Sequence, residues 1–302
     1  MKKNQEELQE ALNNYKESAN LNIQNPENKA QLAATNIPIA NTFNSNDYQK
    51  QLEKETDTDL ITGYEIIKLP SEGLYYSHRI SEVTIEYMTS KDEDVLTTPS
   101  LIENGTVLDV LLKRKIKTKG ISVDELLPGD KDALLLFLRS SSYGSEYKVQ
   151  VYDPRNGNPF NSEVDLTKLK YKEIDEKPDD NGLFFVELPM RKKFVKFRLL
   201  KSNETNQLFK NAEAIKEAYN QEHNEYNTMK LKASIVEING RNDRTYIDKF
   251  VDAMPAKDAY TVRKKILDVS PGIDMRYEFT TKDGYKFLST LSMGVDFFFP
   301  NL

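Results

Sequence analysis

The chain has 302 residues, a net charge of −6 and a pI near 5.3. This acidic balance argues against nucleic acid as a main partner, because phosphate binding needs a basic surface, and the lack of cysteine excludes disulfides, thiolate metal sites and thiol catalysis. No apolar run approaches the roughly 20 residues that span a bilayer, and the N-terminus lacks the apolar core of a signal peptide. We therefore expect a protein made and folded in a cytoplasm, with proteins rather than a membrane as partners.

Residues 1–58 differ in composition from the rest of the chain and are interpreted as a polar arm. Asn and Gln account for 17 of these residues, and such a segment cannot bury enough apolar surface to fold alone. Two interpretations stay open: a disordered tail, or an arm that orders on a neighbouring subunit. In the second, Ile37 and Ile39, which flank Pro38 in an extended piece, are candidate partner-binding residues.

Residues 59–200 are predicted to form an α+β domain. Residues 64–69 and 83–87 have the composition and alternation of two strands that pair with each other. Apolar residues at helical spacing over 108–116 predict a helix, with basic residues at its negative end. A second hairpin, formed by 183–188 and 194–200, places Val195, Phe197 and Leu199 inward and Lys196 and Arg198 outward.

The stretch 130–151 is predicted to organise this domain. Asp130 and Asp132 suit the positive end of a helix, and the apolar run that follows indicates a helix buried on every side, which Ser140–142 and Gly144 would end. Alternating residues over 147–151 then predict a half-buried strand. The expected structural core residues are Leu134, Leu135, Phe137, Leu138, Tyr143 and Gly144.

Residues 201–302 are predicted to form a helical domain closed by a β-hairpin. Apolar residues at helical spacing indicate four helices: one with Leu208, Ala212, Ile215 and Tyr219, a second over 231–238, a third over 247–254 and a fourth over 255–269. Alternation over 275–279 and 285–293, around the turn at 282–284, predicts the hairpin. The aromatic ending Phe297, Phe298 and Phe299 has two open interpretations, packing into its own domain or insertion into a partner.

A weak internal sequence repeat links two parts of the chain. Lys-Asp-Ala at 131–133 and again at 257–259 opens a helix that leads to a strand and a turn, which ends at Gly157 in the first case and at Gly284 in the second. If this is a duplicated unit, the hairpins that follow the two helices lie side by side.

The motifs of catalysis are missing from the sequence. His78 and His223 have no metal-ligand spacing, so both are expected to be exposed side chains. Asp179 and Asp180 sit in a turn-like run, where carboxylates favour the turn. There is no Gly-rich phosphate loop and no nucleophile or zinc motif. We therefore predict that the chain is not an enzyme and has neither cofactor nor catalytic residues.

Residues 63–76, 83–97 and 129–144 carry a resemblance to a known family. They include Leu-Pro-Ser-Glu-Gly at 69–73 and Leu-Arg-Ser-Ser-Ser-Tyr-Gly at 138–144, a pair of motifs that is moderately specific. Together with the helix-rich C-terminal part and the terminal Phe-Phe-x-Pro, these residues make the chain from about residue 60 onward resemble the baseplate hub proteins of T-even-like contractile-tailed bacteriophages.

The resemblance implies a structural or assembly component of a phage tail baseplate. Such a protein would be made in the host cytoplasm and act in the virion through contacts with other baseplate and tail proteins, in one or several copies. Two alternatives stay open: an assembly factor that helps to build the hub and then leaves, and a hydrolase of the cell wall. Purified tails separate the first two, because only a structural protein stays in them.

The resemblance also implies a zinc site that this chain lacks. Its turns at 153–156 and 280–283 correspond to positions of Cys-Pro-x-Cys pairs in the family, which together would hold a structural zinc. Neither turn has a cysteine here. No metal is therefore expected, and the loss of both pairs together fits two neighbouring hairpins.

Overall fold

The structure is a computed structural model that describes residues 63–76, 78–220, 222–291 and 293–298. In this part of the chain it has eight α-helices and four small antiparallel sheets, which confirms the predicted α+β class and the C-terminal hairpin. The arm of residues 1–58, with Ile37 and Ile39, lies outside the described residues, and so does Phe299. The elements are β1 (Tyr64–Lys68), β2 (Glu82–Glu86), α1 (Ser90–Leu96), α2 (Pro99–Glu103), α3 (Val107–Lys115), α4 (Pro128–Tyr143), β3 (Glu146–Tyr152), β4 (Pro159–Asp165), β5 (Leu183–Glu187), β6 (Phe194–Arg198), α5 (Ser202–Ala218), α6 (Tyr226–Ser234), β7 (Ile235–Ile238), α7 (Arg244–Asp252), α8 (Ala256–Val269), β8 (Arg276–Thr280) and β9 (Lys286–Thr290).

The paired strands follow the predicted alternation. β1 pairs with β2, with Ile67 opposite Val83, and the buried residues Val83 and Ile85 face the core. β3 pairs with β4 across the turn at 153–157, and β8 pairs with β9. β3–β4 and β8–β9 are joined by turns rich in Asp, Asn or Gly, which is the local signal of a hairpin, whereas the longer segment 69–81 joins β1 to β2.

The helix α4 is longer and less uniformly buried than predicted. It begins at Pro128, whose missing N–H costs nothing in the first turn, and it continues through Ser140–142 to Tyr143. The prediction of burial on every side is wrong, because Leu136 and Phe137 are only partly buried while the charged Arg139 is buried. Gly144 ends the helix with φ 85° and ψ 167°, a conformation that a residue with a Cβ rarely adopts.

One of the C-terminal helices also differs from its prediction. The predicted helix over 231–238 ends at Ser234, and Ile235–Ile238 forms β7, which pairs with β6. β-Branched residues suit a strand once a partner strand is available. The helix predicted from Leu208, Ala212, Ile215 and Tyr219 forms as α5; Ala212 is fully buried, and Tyr219, directly after the helix, is 75% exposed.

The core consists of three clusters of buried side chains. The first joins β1–β2, α3, α4 and β3–β4 to the C-terminal hairpin and the aromatic ending. The second lies between the three-stranded sheet β5–β6–β7 and helices α6, α7 and α8. The third is smaller and includes Leu127, before α4, and Val269, at the end of α8. A domain boundary near residue 200 stays a prediction.

The start of α4 lies against the chain that follows α8. A Cβ built on Gly129 would lie 1.9 Å from the carbonyl oxygen of Pro271, so only glycine allows this approach. The chain that follows α8 also bonds to the segment before β5, since Lys172 donates its backbone N–H to the Gly272 carbonyl at 2.9 Å. Close backbone packing of this kind fixes the beginning of α4 in position.

Candidate interaction surface and the junctions that support it

The first junction joins the turn after β1 to the start of α4. Asp130 is completely buried, and its carboxylate accepts hydrogen bonds from the Ser71 backbone N–H at 2.9 Å and from the Tyr76 hydroxyl. The Tyr76 hydroxyl in turn accepts from the Leu127 N–H at 3.0 Å. Burial raises the pKa of Asp130, against the opposing effect of these hydrogen bonds, and burial also raises the pKa of Tyr76. Both groups are used in holding the two segments together.

The second junction holds residues 293–298, called the C-terminal segment below, against the end of α4. Arg139 is 2% exposed; its Nε donates to the Phe297 carbonyl at 2.8 Å and its Nη1 to the Gly144 carbonyl at 3.1 Å. Its guanidinium also lies over the rings of Tyr143, Tyr147 and Phe297, 5.3 to 5.8 Å from their centres. Burial lowers the pKa of Arg139, and the carbonyls and ring faces replace part of its lost hydration.

The aromatic ending packs inside the chain. Phe297 and Phe298 have no exposed surface, and Phe297 meets Tyr147 edge-on with ring centres 4.9 Å apart. Of the two open interpretations, packing into its own domain therefore describes these two rings. Phe299, like Ile37 and Ile39, lies outside the described residues, and a partner-binding role for these three stays a prediction.

The expected core residues of α4 fall into two groups. Leu134, Leu135 and Leu138 are at most 2% exposed. Phe137 is half-buried and packs on the Tyr87 ring, with centres 5.8 Å apart, and Tyr143 is half-buried with its hydroxyl 2.9 Å from a Glu93 carboxylate oxygen. The first group thus faces the interior of the cluster, while the second lies at its margin.

A third junction connects the turns of the two similar hairpins. The Arg155 guanidinium donates to Asp153 at 2.7 Å in its own turn and to Asp283 at 2.9 Å in the turn between β8 and β9. It also stacks over the Tyr285 ring, 4.2 Å from its centre. The expectation that the two hairpins lie side by side is confirmed by these contacts. An internal duplication stays a prediction.

The described residues show no arrangement typical of metal binding. Among them no group of three or more acidic or histidine side chains is placed to hold a metal ion. His78 and His223 are both exposed.

None of the helices in the described part of the chain is both long enough and apolar enough to cross a membrane.

The outer face of the three-stranded sheet is the candidate interaction surface. We define the outer sheet face by Phe185 of β5 and Phe194 of β6, which are 64% and 55% exposed; Met190, which is 59% exposed, lies in the turn between these strands. Phe185 lies opposite Lys196 and Phe194 opposite Glu187, so the two rings are diagonal neighbours on one face. The Lys196–Glu237 ion pair, at 3.1 Å, borders them.

This surface has the composition of a protein interface. Exposed aromatic residues and methionine with charged residues around them are typical of contact surfaces. Among the described residues β5 is also an edge strand, and on its free side the Leu183 backbone N–H and carbonyl already hydrogen-bond to Asp179. One residue of this surface is predictable from the sequence, because the alternation that places Val195 and Phe197 inward also places Phe194 outward.

Comparison with protein families identifies the family to which the chain belongs. A protein family described as T4 bacteriophage base plate protein matches residues 61–299, which covers most of the chain. No curated protein and no solved structure matches significantly.

Proposed function

Because this chain belongs to the T4 bacteriophage base plate protein family, we propose that it is a structural component of the baseplate hub in a contractile phage tail. In this role it is made in the host cytoplasm, is incorporated into the virion and acts through contacts with other baseplate and tail proteins. It catalyses no reaction. Membership of the family indicates a baseplate protein. The position in the hub and the contact surface belong to this proposal.

The outer sheet face is the observation that supports a role in protein contacts. Side chains of Phe that are more than half exposed leave apolar area in water, and burying such a ring contributes on the order of 2 kcal/mol. Aromatic residues close together on a rigid sheet are also typical of the few positions that dominate binding energy. The opposite side of the same strands is fixed by Phe184 and Phe197, which are at most 1% exposed.

The test is a phage in which the outer sheet face is made polar. Phe185→Ser combined with Phe194→Ser removes both rings from the surface while the buried side of the sheet stays intact. We expect the isolated variant to keep its unfolding midpoint and to be lost from assembled baseplates in a complementation assay.

The matched control is Leu288→Ser, which makes a residue with 68% exposure polar on the separate β8–β9 sheet. We expect this variant to assemble. If the double variant enters particles as efficiently as the unaltered protein, the outer sheet face is not the contact surface. Presence in purified particles also separates the structural role from that of an assembly factor, which would be absent from them.

A further inference from the structure

A cavity of about 190 Å³ lies beside the start of α4, between the chain that follows β6 and helices α6 and α8. Its walls are mostly apolar and include Leu199, Leu200 and Ile266, while Thr205, Ser234 and Ser270 are the lining residues with hydroxyl groups. At about 30 Å³ for each water-sized group, this space accommodates roughly six to seven non-hydrogen groups. The cavity is therefore large enough for a small organic group and too small for a nucleotide or a folded segment.

Lys230 of α6 is the charged residue in the described lining of this cavity. No described carboxylate lines the cavity or forms an ion pair with Lys230, whereas Lys232, two residues further on, pairs with Asp252 at 2.6 Å. The Lys230 ammonium instead lies 5.5 Å from the centre of the Tyr226 ring. Burial lowers the pKa of Lys230, which means that its ammonium has lost part of its hydration without gaining a counter-charge.

We propose that this cavity binds a carboxylate carried on a short aliphatic chain, with the carboxylate paired to Lys230 and the chain against Leu199, Leu200 and Ile266. A single ammonium suits a single carboxylate, since a phosphate group is usually held by several donors. The apolar walls stabilise an alkyl chain of about four carbons by removing it from water. An incoming carboxylate gains most where the cation is already poorly hydrated, because less water has to be displaced.

This ligand chemistry has two possible sources, a free aliphatic acid or the acidic side chain of a partner protein. Only the second rests on the proposed baseplate role. The binding test below uses the isolated full-length chain, so its failure would leave the baseplate proposal untouched, and a failure of baseplate assembly would leave the binding result untouched.

The experiment is a titration of the protein with pentanoate, followed by ligand-observed NMR. We expect saturable binding with a dissociation constant of roughly 1 mM, as suits so small a ligand. Pentan-1-ol and inorganic phosphate should each bind at least about tenfold more weakly, since each lacks one half of the recognised chemistry. Blocked glutamate, N-acetylated and N′-methylamidated, then separates the sources: similar affinity indicates a partner side chain, and rejection indicates a free acid.

Variants of Lys230 test the role of its charge. Lys230→Met should weaken pentanoate binding at least about tenfold, and Lys230→Arg, which keeps the charge, should retain it within about threefold. The control is Lys210→Met, which removes an exposed lysine on α5 and should leave binding unchanged. Pentan-1-ol or phosphate that binds as tightly as pentanoate, unsaturable pentanoate binding, or full binding by a folded Lys230→Met protein would each overturn the proposal.

Discussion

Replacing Arg139 by methionine tests whether the second junction stabilises the fold. Methionine keeps an unbranched apolar stem but removes the donors that reach the Phe297 carbonyl at 2.8 Å and the Gly144 carbonyl at 3.1 Å. Leaving a buried acceptor without a donor costs about 1 to 3 kcal/mol, and the contact between the cation and the surrounding rings contributes about 0.5 to 2 kcal/mol. Because methionine refills part of the volume, we expect Arg139→Met to lower the free energy of unfolding by about 2 to 4 kcal/mol.

Urea unfolding followed by circular dichroism measures this loss. Arg263→Met is the matched control, because Arg263 lies on α8 and is exposed, and exposed substitutions usually change stability by less than about 0.5 kcal/mol. A loss for Arg139→Met that is no larger than the loss for Arg263→Met would refute the inference that the buried guanidinium holds the C-terminal segment in place.

Three further predictions concern single positions. Gly144→Ala should lower the free energy of unfolding by about 1 to 3 kcal/mol through backbone strain alone, since a Cβ at Gly144 meets no atom within 4 Å; an unchanged urea midpoint would contradict this. Burial raises the pKa of Asp132 from 3.8 to about 6, so the stability that this group contributes should fall as the pH rises from about 4 to about 6, and urea midpoints of Asp132→Asn measured across this range should fall less than those of the unaltered protein. Arg155→Ala should speed hydrogen exchange at the Thr281 and Gly284 amides by loosening the third junction, and equal exchange rates would show that the two turns hold each other by other contacts.

The hairpins were predictable because their signals are local. Alternation over about five residues determines which side chains face the core, and at β3–β4 and β8–β9 an Asp, Asn or Gly turn also marks the hairpin. The sequence repeat between 131–157 and 257–284 also predicts a tertiary contact, because it places the two hairpins side by side. That contact exists at Arg155 and Asp283, although nothing in the sequence points to this ion pair in particular.

The error at β7 shows where periodicity stops being informative. Leu231, Ile235 and Ile238 have helical spacing, yet only Leu231 is in a helix, and Phe197 of β6 pairs with Ile235. Spacing over two turns fits a helix followed by a short strand equally well. The availability of a neighbouring strand decides between them, and that neighbour lies about 40 residues earlier in the chain.

The junctions at Asp130 and Arg139 were beyond sequence reasoning for a different reason. In the sequence, Asp130 has the position of an acidic residue in the first turn of a helix, yet its hydrogen-bond partner Ser71 lies 59 residues away. The Phe297 carbonyl lies 158 residues from Arg139. Arg139 lies in one of the motifs that carry the family resemblance. An arginine among leucines, however, does not indicate which group accepts its hydrogen bonds. Buried charges need several partners at once, and only the fold determines which they are.

Counting this chain in purified phage particles is the most direct test of its assignment as a structural baseplate protein. Quantitative mass spectrometry of purified tails, with known baseplate proteins as internal standards, gives its copy number per particle. A structural role in the baseplate predicts a fixed, whole-number stoichiometry that persists through repeated purification. Absence from complete particles, with the chain found only in assembly intermediates, would contradict it and identify an assembly factor instead.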